Sequence, residues 1–400
     1  MKKCRFTAVL LAFLFASAYL PPKTVQAEGD KIDSFEIKSY FVMKEDIPTP
    51  GITFSYSIAP GRGIAETDDT HEIVPGPDGA AFASSQNTVS FTSDDRAMPE
   101  ASAPSDSAIV FATPDNDTDE VYLEKTLTVD LSGVRFDSVG IYRYVITQEA
   151  LNAAGVIPDS TGKRYIDVFV YQSGNAYVPK AVILRANENA PGTDGQSASA
   201  DKSSGFTNRY ETNNLGFSKS VTGNQSSVNK YFRFTVRLTG SIASGSEGTP
   251  VIVGGHFDAH PSENMATPYD ADVMSAANDV SGYVTLSQLQ NGKDFYIKHG
   301  QDVILSGIPS GLGYEVTEDP DGYKPLVLAE GDTDCTTDGG AVSDNALTQN
   351  TTLEFTNTQS GIIPSTGVTA AFAVPAVFLL AGIAGTVLLA ARRLRRIKEG

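Results

Sequence analysis

The sequence predicts an all-β protein made of two β-sandwiches in tandem, and three observations lead there. Short runs alternate apolar and polar side chains with the period of a half-buried strand: Phe35-Glu36-Ile37-Lys38, Thr53-Phe54-Ser55-Tyr56-Ser57-Ile58 and Tyr142-Arg143-Tyr144-Val145-Ile146. Glycines and prolines punctuate these runs, and no long stretch carries helical periodicity with caps. The order of strand signals in the first half then recurs in the second.

In chain order, the first stretch is not part of the fold. Lys2, Lys3 and Arg5 precede an almost wholly apolar run from Phe6 to Leu20, and Thr24-Val25-Gln26-Ala27 supplies small residues for cleavage after Ala27. Residues 1–27 therefore read as a secretory signal peptide. Cys4 leaves with it, so Cys335 is the one cysteine of the mature segment and has no internal partner for a disulfide.

The first sandwich is expected over 28–212. It opens on the Phe35 strand and continues through Gly140-Ile141-Tyr142-Arg143-Tyr144-Val145-Ile146-Thr147-Gln148-Glu149. The β-branched and aromatic run from Tyr165 to Tyr171 suits a central strand buried on both faces. Phe206-Thr207-Asn208 closes this half. The second sandwich, over 213–360, repeats the order: Gly216-Phe217-Ser218-Lys219, then Tyr231-Phe232-Arg233-Phe234-Thr235-Val236, then Gly313-Tyr314-Glu315-Val316-Thr317-Glu318, then Phe355-Thr356-Asn357. About 340 residues exceed a comfortable single core, which agrees with two domains.

The end of the chain has its own organisation. Ile363-Pro364-Ser365-Thr366-Gly367 (IPSTG, 361–367 with its flank) precedes 24 residues without a charge, Val368 to Ala391, enough to span a bilayer as a helix. The tail 392–400 follows with Arg392, Arg393, Arg395, Arg396 and Lys398, which the positive-inside rule places in the cytoplasm. This order resembles the cell-wall sorting signal of Gram-positive surface proteins, Leu-Pro-x-Thr-Gly, with Ile363 in the Leu position. The resemblance implies that a sortase cysteine attacks the Thr366 carbonyl, releases Gly367 onward and passes the acyl group to an amine. A plain membrane anchor is the duller alternative. A lipid-anchor signal is a poorer one, because such tails end apolar rather than in arginines.

Removing four basic residues with the leader, and five basic and one acidic with the tail, from the chain's 30 Lys+Arg and 48 Asp+Glu leaves 28–366 with a net charge of −26. That argues against a nucleic-acid partner and for a soluble, self-repelling surface.

Over nearly the whole mature chain, Gly-Ile-Tyr-x-Tyr-x-Ile-Thr, Tyr-x-Val-Thr-Glu and the two Phe-Thr-Asn strands resemble the pilin isopeptide-linkage domains of the major (backbone) pilins of Gram-positive, streptococcal-type pili. These are immunoglobulin-like, CnaB-like sandwiches. The resemblance implies a bond in each domain between a Lys ε-amine and an Asn side chain, formed with help from a buried Glu. The matching residues are Lys38 and Asn208 in the first domain, and Lys219, Asn357 and Glu318 in the second.

The chemistry explains these residue types. A lysine is a nucleophile only when neutral, and burial among Phe and Tyr disfavours its charge. The same burial raises a carboxyl pKa, so Glu318 could stay protonated, hydrogen-bond the Asn carbonyl and shuttle protons to leaving ammonia. The bland alternative is a surface salt bridge. In the first domain the place of the Glu is taken by Gln148, which has no acidic proton. Glu149 points to the opposite strand face, and Asp167, sharing a face with Tyr165, Phe169 and Tyr171, is the candidate acid beside an equally ordinary reading as a backbone-bonded core-edge Asp.

Other candidates fare worse. Gly254-Gly255-His256-Phe257-Asp258-Ala259-His260 looks like part of a zinc aminopeptidase signature, but only His71 and His299 remain as further histidines, and 240–282 reads as an insertion. Asp115-Asn116-Asp117-Thr118-Asp119-Glu120 lacks the glycine and terminal Glu of an EF-hand and reads as a solvated loop. Asn187 to Ser204, with Pro191-Gly192-Thr193-Asp194-Gly195, reads as a mobile loop. No cofactor or metal is expected.

The expectation is therefore a structural protein and not an enzyme: a pilus shaft subunit secreted to the peptidoglycan of a Gram-positive cell. Its partners would be sortase, neighbouring pilin subunits and tip or base pilins. The alternatives are a single-copy wall-anchored adhesin and, from another class, a wall-anchored metallopeptidase. The inter-subunit acceptor is expected at Lys202, in a small-residue loop, ahead of Lys180 in Tyr177-Val178-Pro179-Lys180.

Overall fold

The computed structural model describes residues 31–104, 109, 111, 120–189, 202–258, 282–331 and 334–361. The leader, the loops around Asp115 and Pro191, His260, the sorting motif with Thr366 and Gly367, the apolar span and the basic tail lie outside the described residues. No helix among the described residues is long and apolar enough to cross a membrane.

The alternating runs become strands whose inner faces meet. The first half supplies β1 (Ser34–Lys44), β2 (Ile52–Pro60), β3 (Glu120–Asp130), β4 (Gly140–Gln148), β5 (Lys163–Ser173), β6 (Ala176–Arg185) and β7 (Gly205–Tyr210). One sheet runs β3-β1-β7, with β1 and β7 parallel; the facing sheet runs β6-β5-β4-β2. Phe41, Phe54, Phe91 and Tyr210 fill the space between them. The run Tyr165 to Tyr171 is an interior strand, as its composition suggests, with Ile166, Val168 and Val170 turned into the core.

The second half repeats this plan with β8 (Thr212–Thr222), β9 (Phe232–Thr239), β10 (Pro250–His256), a helix α1 (Leu286–Asn291), β11 (Lys293–Ile297), β12 (Asp302–Pro309), β13 (Gly313–Glu318), β14 (Lys324–Glu330) and β15 (Thr351–Thr358). One sheet runs β10-β12-β8-β15-β14, with β8 and β15 parallel, and the facing sheet contains β11-β9-β13. Thr285 caps α1 through a capping box with Gln288. The expected insertion at 240–282 needs correction, since Pro250–His256 is a strand of the sheet, paired with β12.

One residue, Glu211, separates β7 from β8, and main-chain hydrogen bonds tie the two halves there. Gly155 N–H donates to the Ser310 carbonyl at 2.8 Å, and Ala154 N–H to that of Ser241 at 3.1 Å. Gly155 has φ +75°, and a Cβ there would lie 2.8 Å from the Glu211 carbonyl oxygen, so the contact requires glycine. Lys44, at the end of β1, donates to the Thr212 carbonyl at 3.3 Å. The Ser34 end of β1 thus faces away from the second sandwich. Because β8 and β15 are parallel, Thr358 ends at the far side of the second sandwich from Thr212.

Candidate functional site: three polar side chains in the second core

Lys219, Glu318 and Asn357 reach the core for a reason of parity. In β8, Leu215, Phe217, Lys219 and Val221 share the inner face, and in β15 Leu353, Phe355 and Asn357 do. The parallel register pairs Lys219 with Phe355 and Val221 with Asn357, which sets Lys219 and Asn357 side by side on neighbouring strands. Glu318 arrives from β13 in the facing sheet, opposite Phe234.

All three side chains are buried: 2 % of Lys219, 3 % of Glu318 and none of Asn357 is exposed. Lys219 Nζ lies 2.7 Å from Glu318 Oε1, and Asn357 Nδ2 donates to the same oxygen at 2.8 Å. The ammonium sits 4.7 Å from the centre of the Phe232 ring. Glu318 Oε2 and Asn357 Oδ1 have no hydrogen-bond partner.

Burial pulls the Lys219 pKa down to about 8 against the opposing charge of Glu318. Burial likewise pushes Glu318 up, with Lys219 and Asn357 opposing it. Both shifts favour the pair in which the proton has passed from lysine to glutamate. In that state the amine has a lone pair. Turning the Asn357 amide over presents its unpartnered Oδ1 to the carboxyl, which would polarise the carbonyl for attack. The sheet positions all three groups before any reaction, which removes most of the entropic cost of an encounter.

The first sandwich differs. The expected Lys38–Asn208 pair needs correction, because β1 offers Lys38 to the outer face. Phe35, Ile37, Ser39, Phe41 and Met43 share the inner face, and Lys38 alternates with them. Its Nζ contacts Glu124 at 3.0 Å, Glu36 at 3.5 Å and Thr126 Oγ1 at 3.0 Å. Its backbone packs on Gly205, where a Cβ would stand 1.8 Å from the Lys38 carbonyl oxygen.

The neighbour of Asn208 in the core is Ser39. It pairs with Phe206 as Lys219 pairs with Phe355, and its Oγ lies 2.9 Å from the Tyr56 hydroxyl. Gln148 occupies the place of Glu318 and donates to Asn208 Oδ1 at 2.7 Å; the Asp159 N–H donates to the same oxygen at 3.1 Å. Asp159 in turn holds Arg164, whose guanidinium lies 4.7 Å from the centre of the Phe206 ring. Sequence reading missed Ser39, Tyr56, Asp159 and Arg164; strand parity along β1 was the available signal for Ser39.

Asp167 as an acid for that pair also needs correction. It lies on the outer face of β5, where Arg143 grips both oxygens, at 2.6 and 2.8 Å, and Arg185 donates to one at 2.6 Å. Both of its oxygens are taken up by guanidiniums on that face, away from Asn208 in the core. Lys202 is exposed and forms an isolated bridge with Arg185, whereas Lys180 is half-buried within β6. His256, at the end of β10, meets Asp302 at 3.0 Å, and Asp258 contacts Tyr231 and Lys298. Cys335 packs half-buried against the second core.

Comparison with known proteins bears on the fold. The family model for DUF7601, a domain of unknown function, matches residues 213–359. No curated protein matches the chain in sequence. Among solved structures, a major pilin from Streptococcus pyogenes aligns at 17 % identity over 82 % of this chain and 99 % of that one, with a TM-score of 0.52. The major pilin T3.2 of Streptococcus pyogenes aligns at 20 % identity over 83 % and 100 %, also at 0.52. The chain is similar in fold to the major pilins of Streptococcus pyogenes, over a span that includes both sandwiches.

Proposed function

We propose that this protein is the shaft subunit of a cell-surface pilus, with two domains over 28–212 and 213–360 and a Lys219–Asn357 amide inside the second. The observation that carries the reading is the meeting of Lys219, Glu318 and Asn357 on one carboxylate oxygen in a buried core. Lys219 Nζ attacks Asn357 Cγ, the Cγ–Nδ2 bond breaks, and ammonia leaves with a proton relayed by Glu318. The bond would join the first strand of the domain to its last, so that a pull on the chain cannot peel either away.

Polymerisation follows from the two ends. Sortase cleaves after Thr366 and transfers the acyl group to Lys202 of the next subunit, leaving the base of the polymer on peptidoglycan. In support, Lys202 is exposed beside the start of β7, at the end of the first sandwich remote from the second, and β15 finishes at the opposite end. Tip and base pilins would complete the fibre.

The test is the polymer ladder formed by cells or by purified sortase. Lys202→Ala should collapse it to wall-attached monomer, and Lys180→Ala should leave it intact. A ladder that persists without Lys202 overturns the acceptor assignment; a wild-type chain found only as a wall-bound monomer is a single-copy adhesin instead.

A further inference from the structure

We infer that the first sandwich contains an incomplete copy of the crosslinking site, with Ser39 in the place of the nucleophile, so that the mature chain carries one internal bond and not two. The inference rests on the reading of the second sandwich given above. Two registers make the equivalence. On the parallel ladders, Ser39 and Lys219 each pair with the phenylalanine two residues before the asparagine, Phe206 or Phe355. On the facing sheets, Gln148 pairs with Tyr56 as Glu318 pairs with Phe234. The contact to the asparagine is also alike, 2.7 Å from Gln148 and 2.8 Å from Glu318.

The electrophilic half of this copy is intact. Asn208 is fully buried, and its Oδ1 accepts from both Gln148 and the Asp159 N–H, two donors that draw electron density from the carbonyl. Its Nδ2, which would leave as ammonia, is buried beside the Tyr56 hydroxyl. The other half is missing. The Ser39 hydroxyl meets a tyrosine hydroxyl and no base, and burial pushes the Tyr56 pKa up, so the phenol stays protonated. Gln148 has no proton to relay. Lys38 is on the wrong face and engaged by Glu124.

Completing the copy therefore requires two changes, Ser39→Lys and Gln148→Glu. The introduced ε-amine attacks Asn208 Cγ, a C–N bond forms, and the Cγ–Nδ2 bond breaks. The nitrogen leaves as ammonia with one proton taken from the amine through the introduced carboxyl; nothing is oxidised or reduced.

Intact mass and peptide mapping of the 28–366 segment test this. The wild type should fall short of its calculated mass by one ammonia, with Asn208 in a linear peptide, and the double variant by two, with residue 39 joined to residue 208. A wild type short by two with Asn208 in a crosslinked peptide overturns the inference, as does a folded double variant that stays short by one. A double variant that does not fold leaves the decision to the wild-type map of Asn208. A wild type with no deficit sinks the reading of the second sandwich, and this inference with it, a result distinguishable from the others.

Discussion

In the second sandwich a lysine, a glutamate and an asparagine meet among phenylalanines; in the first, the same three places hold a serine, a glutamine and an asparagine. Burying the charged pair costs several kcal/mol per ion before any pairing, and the first sandwich does not incur that cost at these three places. It ties its last strand instead through hydrogen bonds: Gln148 and Asp159 to Asn208, and Arg164 to Asp159 and to the Gly205 carbonyl at 2.6 Å. The first place keeps the shape and polarity of the second without an amine or an acid. A lysine–asparagine amide would need the buried, half-neutralised pair, whereas a hydrogen bond needs only a donor facing an acceptor.

The comparison breaks most visibly at Lys219. Lys219→Met keeps the volume and removes the nucleophile, so the ammonia deficit should vanish. A crosslink across a loop of roughly 100 residues or more stabilises by about 5 kcal/mol in the chain-entropy account. On heating, the transition of the second sandwich should fall in Lys219→Met while that of the first stays in place. Two resolved calorimetric transitions would report it, and a second transition that does not move would show that no link was there to lose.

Asn208→Ala probes the other side of the comparison. It leaves the Gln148 amide and the Asp159 N–H without their buried acceptor, which costs about 1–3 kcal/mol. The first transition should shift by that amount while the mass deficit stays as in the wild type. A changed deficit would mean that Asn208 is a reacting group after all.

A third test uses pH, because only the second sandwich has a proton to place. The reactive state holds one proton on the Lys219–Glu318 pair. As pH rises past about 8, the lowered pKa of Lys219, that proton is lost and Glu318 cannot relay it. In chain refolded from inclusion bodies, where it is unfolded and unlinked, the rate of ammonia loss should therefore fall about tenfold per pH unit above that point. It should also fall in acid, below the raised pKa of Glu318, where both groups are protonated and lysine is charged. A rate that keeps climbing through pH 8 would point to a lysine acting without the relay.

Much of this was legible in the sequence, and the part that was not has a physical reason. Strand period identified β1, β2 and β4, β-branched composition identified β5, and the repeated order Lys, Glu, Asn led to the three residues of the second core. The same repeat misled in the first half, because Phe35 stands three residues from Lys38 and Phe217 two from Lys219. A side-chain period of two turns that single residue into the opposite face. Asp167 was misjudged for a related reason. Its outer face is buried, but by Arg143 and Arg185 arriving from neighbouring strands, a pairing that only the tertiary register creates.

Lys38 offers the smallest expected effect and the sharpest check on that register. Partial burial lowers its pKa, but the hydrogen bond and charge of Glu124, with Glu36, outweigh this and leave it raised above 10.5. A raised lysine pKa means that the folded state holds the proton more tightly than the unfolded one. The stabilisation is therefore fully present at neutral pH and is lost as pH climbs through the raised value. The side chain is 31 % exposed, so solvent screening keeps the whole contribution within about 1 kcal/mol. Lys38→Ala should then move the first transition little at neutral pH and still less at the alkaline end. It should leave the intact-mass deficit untouched and Asn208 in the same linear peptide. If Lys38→Ala instead abolishes an ammonia loss, the inner face of β1 has been assigned one residue out of step, and Ser39 surrenders its place to Lys38.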